Sequence, residues 1–579
     1  MGRKGFLVKI ISITAIMVLI FVLLGIRLFF LQIKQHDEYY DKARKKYTAV
    51  KKIKGMRGEI YDSLGNLFIG NAPSVDLRAD PNLVGDEAEC KRVARFFAVR
   101  LEVPYSKLYD RLSRKEVTGK EIHEVVIKNG IPLDLANSLK DEVKNKNIKG
   151  MFFFDSVKRY YPKDKMLSNV LGFVNADDID IVPVSGLENA YNSVLSPGKP
   201  NLSVYERARD GIPLAYGNNR IGDEKRGSNL YLTIQEPIQA IIEDELDAIV
   251  EKWRPKTAYA VMVDPKTGSI LAMGQRPTFN PNDRSSLNSD DWQNKIITEG
   301  FEPGSIMKPL IIAKAIDLGI VKPDTVFDCH GPWFYGGKTL KDHRPMGLLT
   351  VSEIIRQSSN IGTAKITIEM GKDNLYKLLV TYGFGQESGL PFHPEAKGIL
   401  RKYDKWDALS ITRFPIGQGI LTTPLQIISA YTTLANSGER MKLRIIDRIE
   451  DTETEYAYNF PIKSAGRIFG PKAAKEIVEM MRESTTKAKI PGYQIAGKSG
   501  TAQKWINGEY SHSKYVGSFV GFAPADEPAF LLIVSVDEPK GAYYGATVAA
   551  PHFSNIAKKT LRYMDILPSY EVDTAKKRG

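Results

Sequence analysis

Glu302-Pro303-Gly304-Ser305-Ile306-Met307-Lys308-Pro309-Leu310-Ile311-Ile312-Ala313 decides how the rest of this 579-residue chain is read. A serine followed three residues later by a lysine, at the start of an apolar helix, sets a hydroxyl and an amine on one face, one turn apart. Serine is a poor nucleophile at its own pKa and needs a neighbouring base. A lysine can be that base when desolvation and a second cation lower its pKa. The N-terminal end of a helix also favours developing negative charge. The Ser-x-x-Lys spacing alone is weak, because it occurs four times. Ser196–Lys199 encloses Pro197-Gly198 and reads as a turn. Ser484–Lys487 ends a helix and is followed by Lys489 and Pro491. Ser511–Lys514 is expected in a polar loop after Asn507-Gly508. Only Ser305–Lys308 opens a long apolar helix.

Two further boxes support that choice. Ser358-Ser359-Asn360 follows in a helix-rich segment, between Ile354-Ile355 and Ile361. The similar Ser286-Leu287-Asn288 precedes the nucleophile in a polar stretch. Lys498-Ser499-Gly500-Thr501 comes after an expected apolar strand, Tyr493–Ala496. A lysine, two hydroxyls and a glycine on an edge strand suit a substrate carboxylate and close backbone approach. Lys266-Thr267-Gly268 has the same composition but lies in a hairpin turn. A competing reading comes from Gly492 to Ser499, which matches the phosphate-loop pattern G-x-x-x-x-G-K-[ST] in full. Its context disagrees: a polar, proline-ended stretch precedes Gly492, and no helix is expected after Ser499.

Outward from these boxes, the pattern predicts a strand at Leu230–Ile234 and a helix with Ile238, Ile242, Leu246, Ile249 and Trp253 on one face. A hairpin follows at 258–273, then a mainly helical middle, 305–440. Strands return at Ser518–Phe522 and Phe530–Val536, and a last helix covers 552–564. The predicted fold is α+β: an antiparallel sheet covered by helices, carrying an all-helical lobe. The expected divisions are a tail (1–8), a membrane-spanning helix (9–33), an elongated mixed α/β pedestal (34–227), the catalytic domain (228–567) and a C-terminal tail (568–579).

Composition is ordinary for a globular protein, with 43% hydrophobic and 26% charged residues, which excludes collagen-like, disordered and polytopic membrane classes. The net charge of +13 is local: residues 1–60 hold 13 Lys/Arg against 4 Asp/Glu. That argues against nucleic acid as a partner. The run from Ile10 to Ile26 has no charge and reads as an uncleaved membrane anchor. Eight cations follow it, Lys42, Arg44, Lys45, Lys46, Lys51, Lys52, Lys54 and Arg57. They read equally as a surface for anionic headgroups, wall polymers or a partner's acidic face, or as a solvated stalk. A plain Lys/Arg count opposes an N-inside orientation, although large domains translocate largely regardless of charge. Two cysteines and seven scattered histidines offer no metal cluster.

Ser-x-x-Lys, Ser-x-Asn and Lys-Ser/Thr-Gly in this order form the set of penicillin-binding proteins and class A β-lactamases. Beyond the boxes, the chain resembles the class B penicillin-binding proteins through Arg57-Gly58-Glu59-Ile60-Tyr61-Asp62, Asp264-Pro265-Lys266-Thr267-Gly268-Ser269, Gly417-Gln418-Gly419, Ala435-Asn436-Ser437-Gly438 and Gly521-Phe522-Ala523-Pro524. Gly541-Ala542-Tyr543-Tyr544-Gly545 leans toward the division or sporulation branch, the FtsI type. Asp178–Val184 and His393-Pro394-Glu395 depart from the family pattern.

The resemblance implies a D,D-transpeptidase that cross-links peptidoglycan stem peptides, with lipid-linked precursor polymer, β-lactams and the membrane as its other partners. It implies Ser305 as nucleophile and Lys308 as proton acceptor. Ser358 and Asn360 would relay protons and hold Lys308, while Lys498 would raise the local potential. Ser499, Gly500 and Thr501 would bind substrate, and the backbone N–H groups of Ser305 and Thr501 would form the oxyanion hole. It implies no cofactor and no metal, a SEDS glycosyltransferase partner (FtsW or RodA type), and an extracytoplasmic catalytic domain on a single-pass anchor. An elongation-type transpeptidase, a β-lactam sensor or β-lactamase, and a non-catalytic division scaffold remain as alternatives.

Overall fold

The computed structural model describes residues 3–53, 55–176, 181–197, 201–206, 220–221, 226–283, 288–484, 487–506 and 508–570. Asp178–Asp180 of the departing segment, Lys199, Ser286-Leu287 and the tail from 571 lie outside them.

The chain divides into two compact units. In the first, the helix Arg3–Phe29 contains no proline and continues as a π-helical turn, Phe30–Lys34. It is apolar around its whole circumference and long enough to cross a membrane. A polar helix, His36–Tyr47, follows with Asp37 and Glu38 in its first turn, complementing its dipole. Lys42 pairs with Glu38 at 2.6 Å. The strand Thr48–Ile53 then runs antiparallel to Asn201–Glu206.

The second unit holds the pedestal region from Arg57 and the whole catalytic region. The long strand Leu67–Ala79 pairs with both Val125–Pro132 and Met151–Tyr160. The helix Glu87–Leu101 is capped by Asp86, which accepts from the Glu89 N–H, and it buries Cys90, Val93, Ala94, Phe97 and Leu101. That spacing is one helical stripe, and it packs on Val75 and Leu77. The same sheet crosses into the catalytic region. Asn229–Leu232, just past the expected boundary at 227/228, pairs in parallel with Ile60–Tyr61 and antiparallel with Ile446–Glu450, which carries Ala457–Asn459 at its outer side.

Arg57 corrects the reading of the basic stalk. Only 3% exposed, its guanidinium donates to Glu188 Oε2 at 3.0 and 2.7 Å and to Asn192 Oδ1 at 2.7 Å. Arg159 donates to Glu188 Oε1 at 2.6 Å and to the Gly58 carbonyl. Arg57 is therefore a structural cation paired inside the protein. The reason is long-range: its carboxylate partner lies 131 residues away.

After Asn229–Leu232 comes helix α1 (Glu236–Trp253), which buries Ile238, Ile242, Leu246 and Ile249. Strands β1 (Thr257–Val263) and β2 (Ile270–Arg276) form the expected hairpin. A 3₁₀ turn, Gly304–Met307, leads into α2 (Lys308–Asp317). Helices α3 (Val351–Gln357), α4 (Asn360–Met370) and α5 (Pro424–Ala435) belong to the helical lobe. Strands β3 (Ala496–Ile506), β4 (Glu509–Ala523) and β5 (Phe530–Asp537) return to the sheet, and α6 (Ala550–Tyr563) closes the region.

The sheet order is β2-β1-β5-β4-β3, with every pair antiparallel and β3 at the edge. One face packs Ala258, Ala260 and Met262 on α1 and α6. The other packs Tyr259, Val261 and Val263 against the start of α2 and the helical lobe. Burial on both faces explains why β1 and β5 read as continuous apolar runs rather than alternating ones. Two boundary expectations change. The strand after Pro491 starts at Ala496, not Tyr493, so the Lys498 box lies inside β3. Ser511–Lys514 lies within β4 rather than a loop, because the hairpin ladder extends out to Ile506 opposite Glu509.

Candidate active site

The 3₁₀ turn sets Ser305 against the edge strand. Gly304 takes φ +59°, and a Cβ built on it would stand 3.2 Å from the Thr501 carbonyl oxygen. A side chain at Gly500 would meet the Pro303 carbonyl at 2.9 Å. Glycine at both positions therefore lets the Ser305 turn lie directly on β3. Two buried tyrosines brace the same region: Tyr431 donates its hydroxyl to the Ile306 carbonyl at 2.6 Å, and Tyr382 donates to the Leu310 carbonyl at 3.0 Å.

Lys308 is fully buried. Its Nζ stands 2.5 Å from Ser358 O, 3.2 Å from Ser358 Oγ and 2.8 Å from Asn360 Oδ1, so acceptors are at hand for both N–H bonds of a neutral amine as well as for a third once it is protonated. Ser358 reaches it by adopting a left-handed conformation, φ +59°, at the C-terminal end of α3. A non-glycine residue held there stores local strain, as functional sites often do. Burial drives the Lys308 pKa well below the ordinary lysine value, the nearby Lys498 charge lowers it further, and Asp342 opposes both. Lys498, 4% exposed, is itself pushed down to about 8 by burial. Its Nζ donates to the Ser499 carbonyl at 3.2 Å.

Asp342 is the member that sequence reading missed. It accepts from the Ser359 hydroxyl at 2.7 Å and from the backbone N–H groups of Asn360 and Ile361. It thus caps α4 from outside and fixes the residue that holds Lys308. Only its charge in the polar run Lys341-Asp342-His343-Arg344 marked it in the sequence, and no motif did. Gly545 is a second omission. Its N–H donates to Thr501 Oγ1 at 3.0 Å, and a Cβ there would stand 2.1 Å from the Gly500 carbonyl oxygen. Thr501 and Ser499 are half-buried, as is Ser305.

The structure thus brings the three boxes together: Ser305 and Lys308 on one turn, Ser358 and Asn360 on Lys308, and Lys498 through Thr501 along the edge strand. The decoys separate. Ser511 is half-buried and His512–Lys514 exposed, with Lys514 turned to Glu538 at 3.3 Å. Lys266-Thr267-Gly268 is the β1–β2 turn. The phosphate-loop reading fails, because Gly497-Lys498-Ser499 is extended β3 and no helix follows it.

Residues 258–558 match the family described as the penicillin-binding protein transpeptidase domain, and 52–232 match the penicillin-binding protein dimerisation domain. The chain belongs to the penicillin-binding proteins. It is 30% identical to the peptidoglycan D,D-transpeptidase FtsI of Escherichia coli K12, over 94% of this chain and 90% of the relative. It is 29% identical to the stage V sporulation protein D of Bacillus subtilis, over 95% and 85%. Among solved structures, the fold is similar to penicillin-binding protein 2X of Streptococcus thermophilus (TM-score 0.72, 24% identity, 90% of this chain and 80% of that one). It is also similar to penicillin-binding protein 3 of Mycobacterium tuberculosis (TM-score 0.68, 23% identity, 90% and 99%). The α+β transpeptidase fold and the membership of this family are as the sequence implied.

Proposed function

We propose that the chain is a membrane-anchored peptidoglycan D,D-transpeptidase of the division type, acting through a Ser305 acyl-enzyme. The observation that carries it is a buried, pKa-depressed Lys308 one turn from Ser305 and held by the Ser358–Asn360 pair. Ser305 Oγ attacks the penultimate carbonyl carbon of a D-Ala-D-Ala stem while neutral Lys308 takes its proton. The oxyanion forms between the backbone N–H groups of Ser305 and Thr501; one such donor is worth about 3 kcal/mol. Lys498, Ser499 and Thr501 receive the terminal carboxylate, with Gly500 allowing close approach. The C–N bond breaks, and D-Ala leaves with a proton. The amine of a neighbouring stem then attacks the ester: a C–N bond forms, the C–Oγ bond breaks, and Ser305 regains its proton. A β-lactam acylates the same oxygen by opening its ring amide.

Fluorescent penicillin tests the reading. The wild-type chain gives one labelled band, and Ser305→Ala abolishes it. Label persisting on that variant would overturn the assignment.

The septal role rests on the FtsI and sporulation relatives. The domain limits 1–8, 9–33, 34–227, 228–567 and 568–579 belong to the same reading. So do a cytoplasmic N-terminus, an extracytoplasmic catalytic region, and a SEDS glycosyltransferase that engages the span and the pedestal. A phosphatase fused to the C-terminus is expected to be active only outside the cytoplasm. Activity of a cytoplasmic reporter at that position would refute the orientation.

A further inference from the structure

A cleft of about 660 Å³ opens on the lobe-facing side of the sheet, where β3 runs past its Lys-Ser-Gly-Thr box. It adjoins the nucleophile along the chain: Glu302 stands three residues before Ser305, and Ala502 follows Thr501. Its volume falls within the range of pockets that enclose a small ligand or a peptide side chain.

Four buried oxygens among its lining residues have no hydrogen-bond partner among the described residues: Glu302 Oε2, Asp537 Oδ1, Thr257 Oγ1 and Tyr259 Oη. Thr257 and Asp537 are 3% and 8% exposed and sit opposite each other in the β1–β5 ladder, so they make one polar floor. Unsatisfied buried acceptors are costly, and an occupant with N–H donors relieves them.

The charges point the same way. Every cation that lines the cleft already has an acid. Lys504 holds Asp537 Oδ2 at 2.8 Å and Glu538 at 2.9 Å, Lys295 faces Glu299 at 4.0 Å, and Arg401 faces Asp407 at 3.8 Å. Glu302 has no cation among the described residues. Its Oε1 accepts from the Gly419 N–H at 2.8 Å and the Tyr510 hydroxyl at 3.1 Å, both neutral donors. Burial correspondingly pushes the Glu302 carboxyl pKa up. A primary ammonium, with one positive charge and three N–H donors, fills both deficits.

We propose that this cleft is the binding site of the amine acceptor, with Glu302 Oε2 receiving the ammonium group of the strand that resolves the Ser305 acyl-enzyme and taking one of its protons, which frees the nitrogen lone pair for attack. The inference rests on the transpeptidase reading above. Asp537 and Thr257 form the floor that orients the rest of the amine-bearing chain.

The test uses the full chain in detergent, a D-Ala-ending thioester donor, and D-alaninamide as the amine. The ratio of amide product to hydrolysis product is read only on enzyme that has been acylated, so slow acylation does not alter it. Glu302→Gln is expected to raise the KM for D-alaninamide and lower the amide-to-hydrolysis ratio at least fivefold. Glu302→Asp is expected to recover part of the loss. An unchanged ratio in Glu302→Gln overturns the proposal, as does a wild-type acyl-enzyme insensitive to the amine. Should Glu302→Gln not acylate, Thr257→Val decides: a lowered ratio supports the cleft, and an unchanged one overturns it. Absence of any Ser305 acyl-enzyme in the wild type would instead sink the transpeptidase reading itself.

Discussion

The two buried lysines make the pH dependence of acylation a direct measure of the site. Lys498 falls from 10.5 to about 8 through burial alone, so its charged form is disfavoured by about 3 kcal/mol. If its charge is needed to receive an anionic ligand, the rate of acylation by penicillin follows the protonated fraction. A single group at about 8 is about 90% protonated at pH 7 and about 10% at pH 9. The rate is therefore expected to fall about ninefold across that interval. On the mechanism proposed above, the acid limb belongs mainly to Lys308, which must lose its proton to act as base. Its pKa is held down first by burial and then by the Lys498 charge. Lys498→Ala removes that like charge, so the Lys308 pKa rises and the acid limb moves to higher pH. Lys498→Arg keeps a cation that titrates far above the range, so the alkaline limb disappears below pH 9 even though the rate drops. Stopped-flow acylation from pH 5 to 9 reads both limbs. An alkaline limb that stays near 8 in Lys498→Arg would refute the reasoning, because another group would then be titrating.

Further expectations concern the supports of the site. Asp342→Ala removes the acceptor of Ser359, Asn360 and Ile361 and the charge that raises the Lys308 pKa. Acylation is expected to fall at least about tenfold and its acid limb to shift to lower pH, opposite to Lys498→Ala, for a capping loss of only about 1 kcal/mol; unaltered acylation would contradict the positioning role. Glu188→Ala strands Arg57 and Arg159 in the interior without an anion, which costs about 3–5 kcal/mol. Thermal denaturation should show a melting temperature lowered by roughly 3–5 °C for a folding unit of this size, and a loss under about 1 kcal/mol would show that water or another group solvates the pair.

What the sequence revealed and what it hid divide along chain separation. Ser305 and Lys308 share one turn, Ser358 and Asn360 share one helix junction, and Lys498 to Thr501 share one strand. Each box is local, so its residue types and spacing carry the chemistry in plain view. The hidden parts are pairings between distant segments: Asp342 with Asn360, Glu188 with Arg57 and Arg159, and Gly545 against Gly500. Nothing in periodicity or capping encodes such a partner. The start of β3 was misjudged for a related reason. Tyr493 and Ile495 are apolar because they pack, but the ladder begins only where β4 lies opposite, at Ala496 with Phe522. Glu302 lay inside the stretch that opened the reading, yet its empty oxygen is visible only in three dimensions.

The sheet that Asn229–Leu232 shares with Ile60–Tyr61 and Ile446–Glu450 bears on how this protein can be cut or recombined. A gene fragment starting at 258, where the transpeptidase family match begins, would leave Ile446–Glu450 with a bare hydrogen-bonding edge and an uncovered core beneath Leu230 and Leu232. The heritable folding module therefore runs from the Arg57 segment to the last helix. Family boundaries drawn along the chain pass through the middle of a single mechanical plate. Force applied to the pedestal strands reaches Ile446–Glu450, which starts eleven residues after the end of α5, whose Tyr431 braces the Ser305 turn.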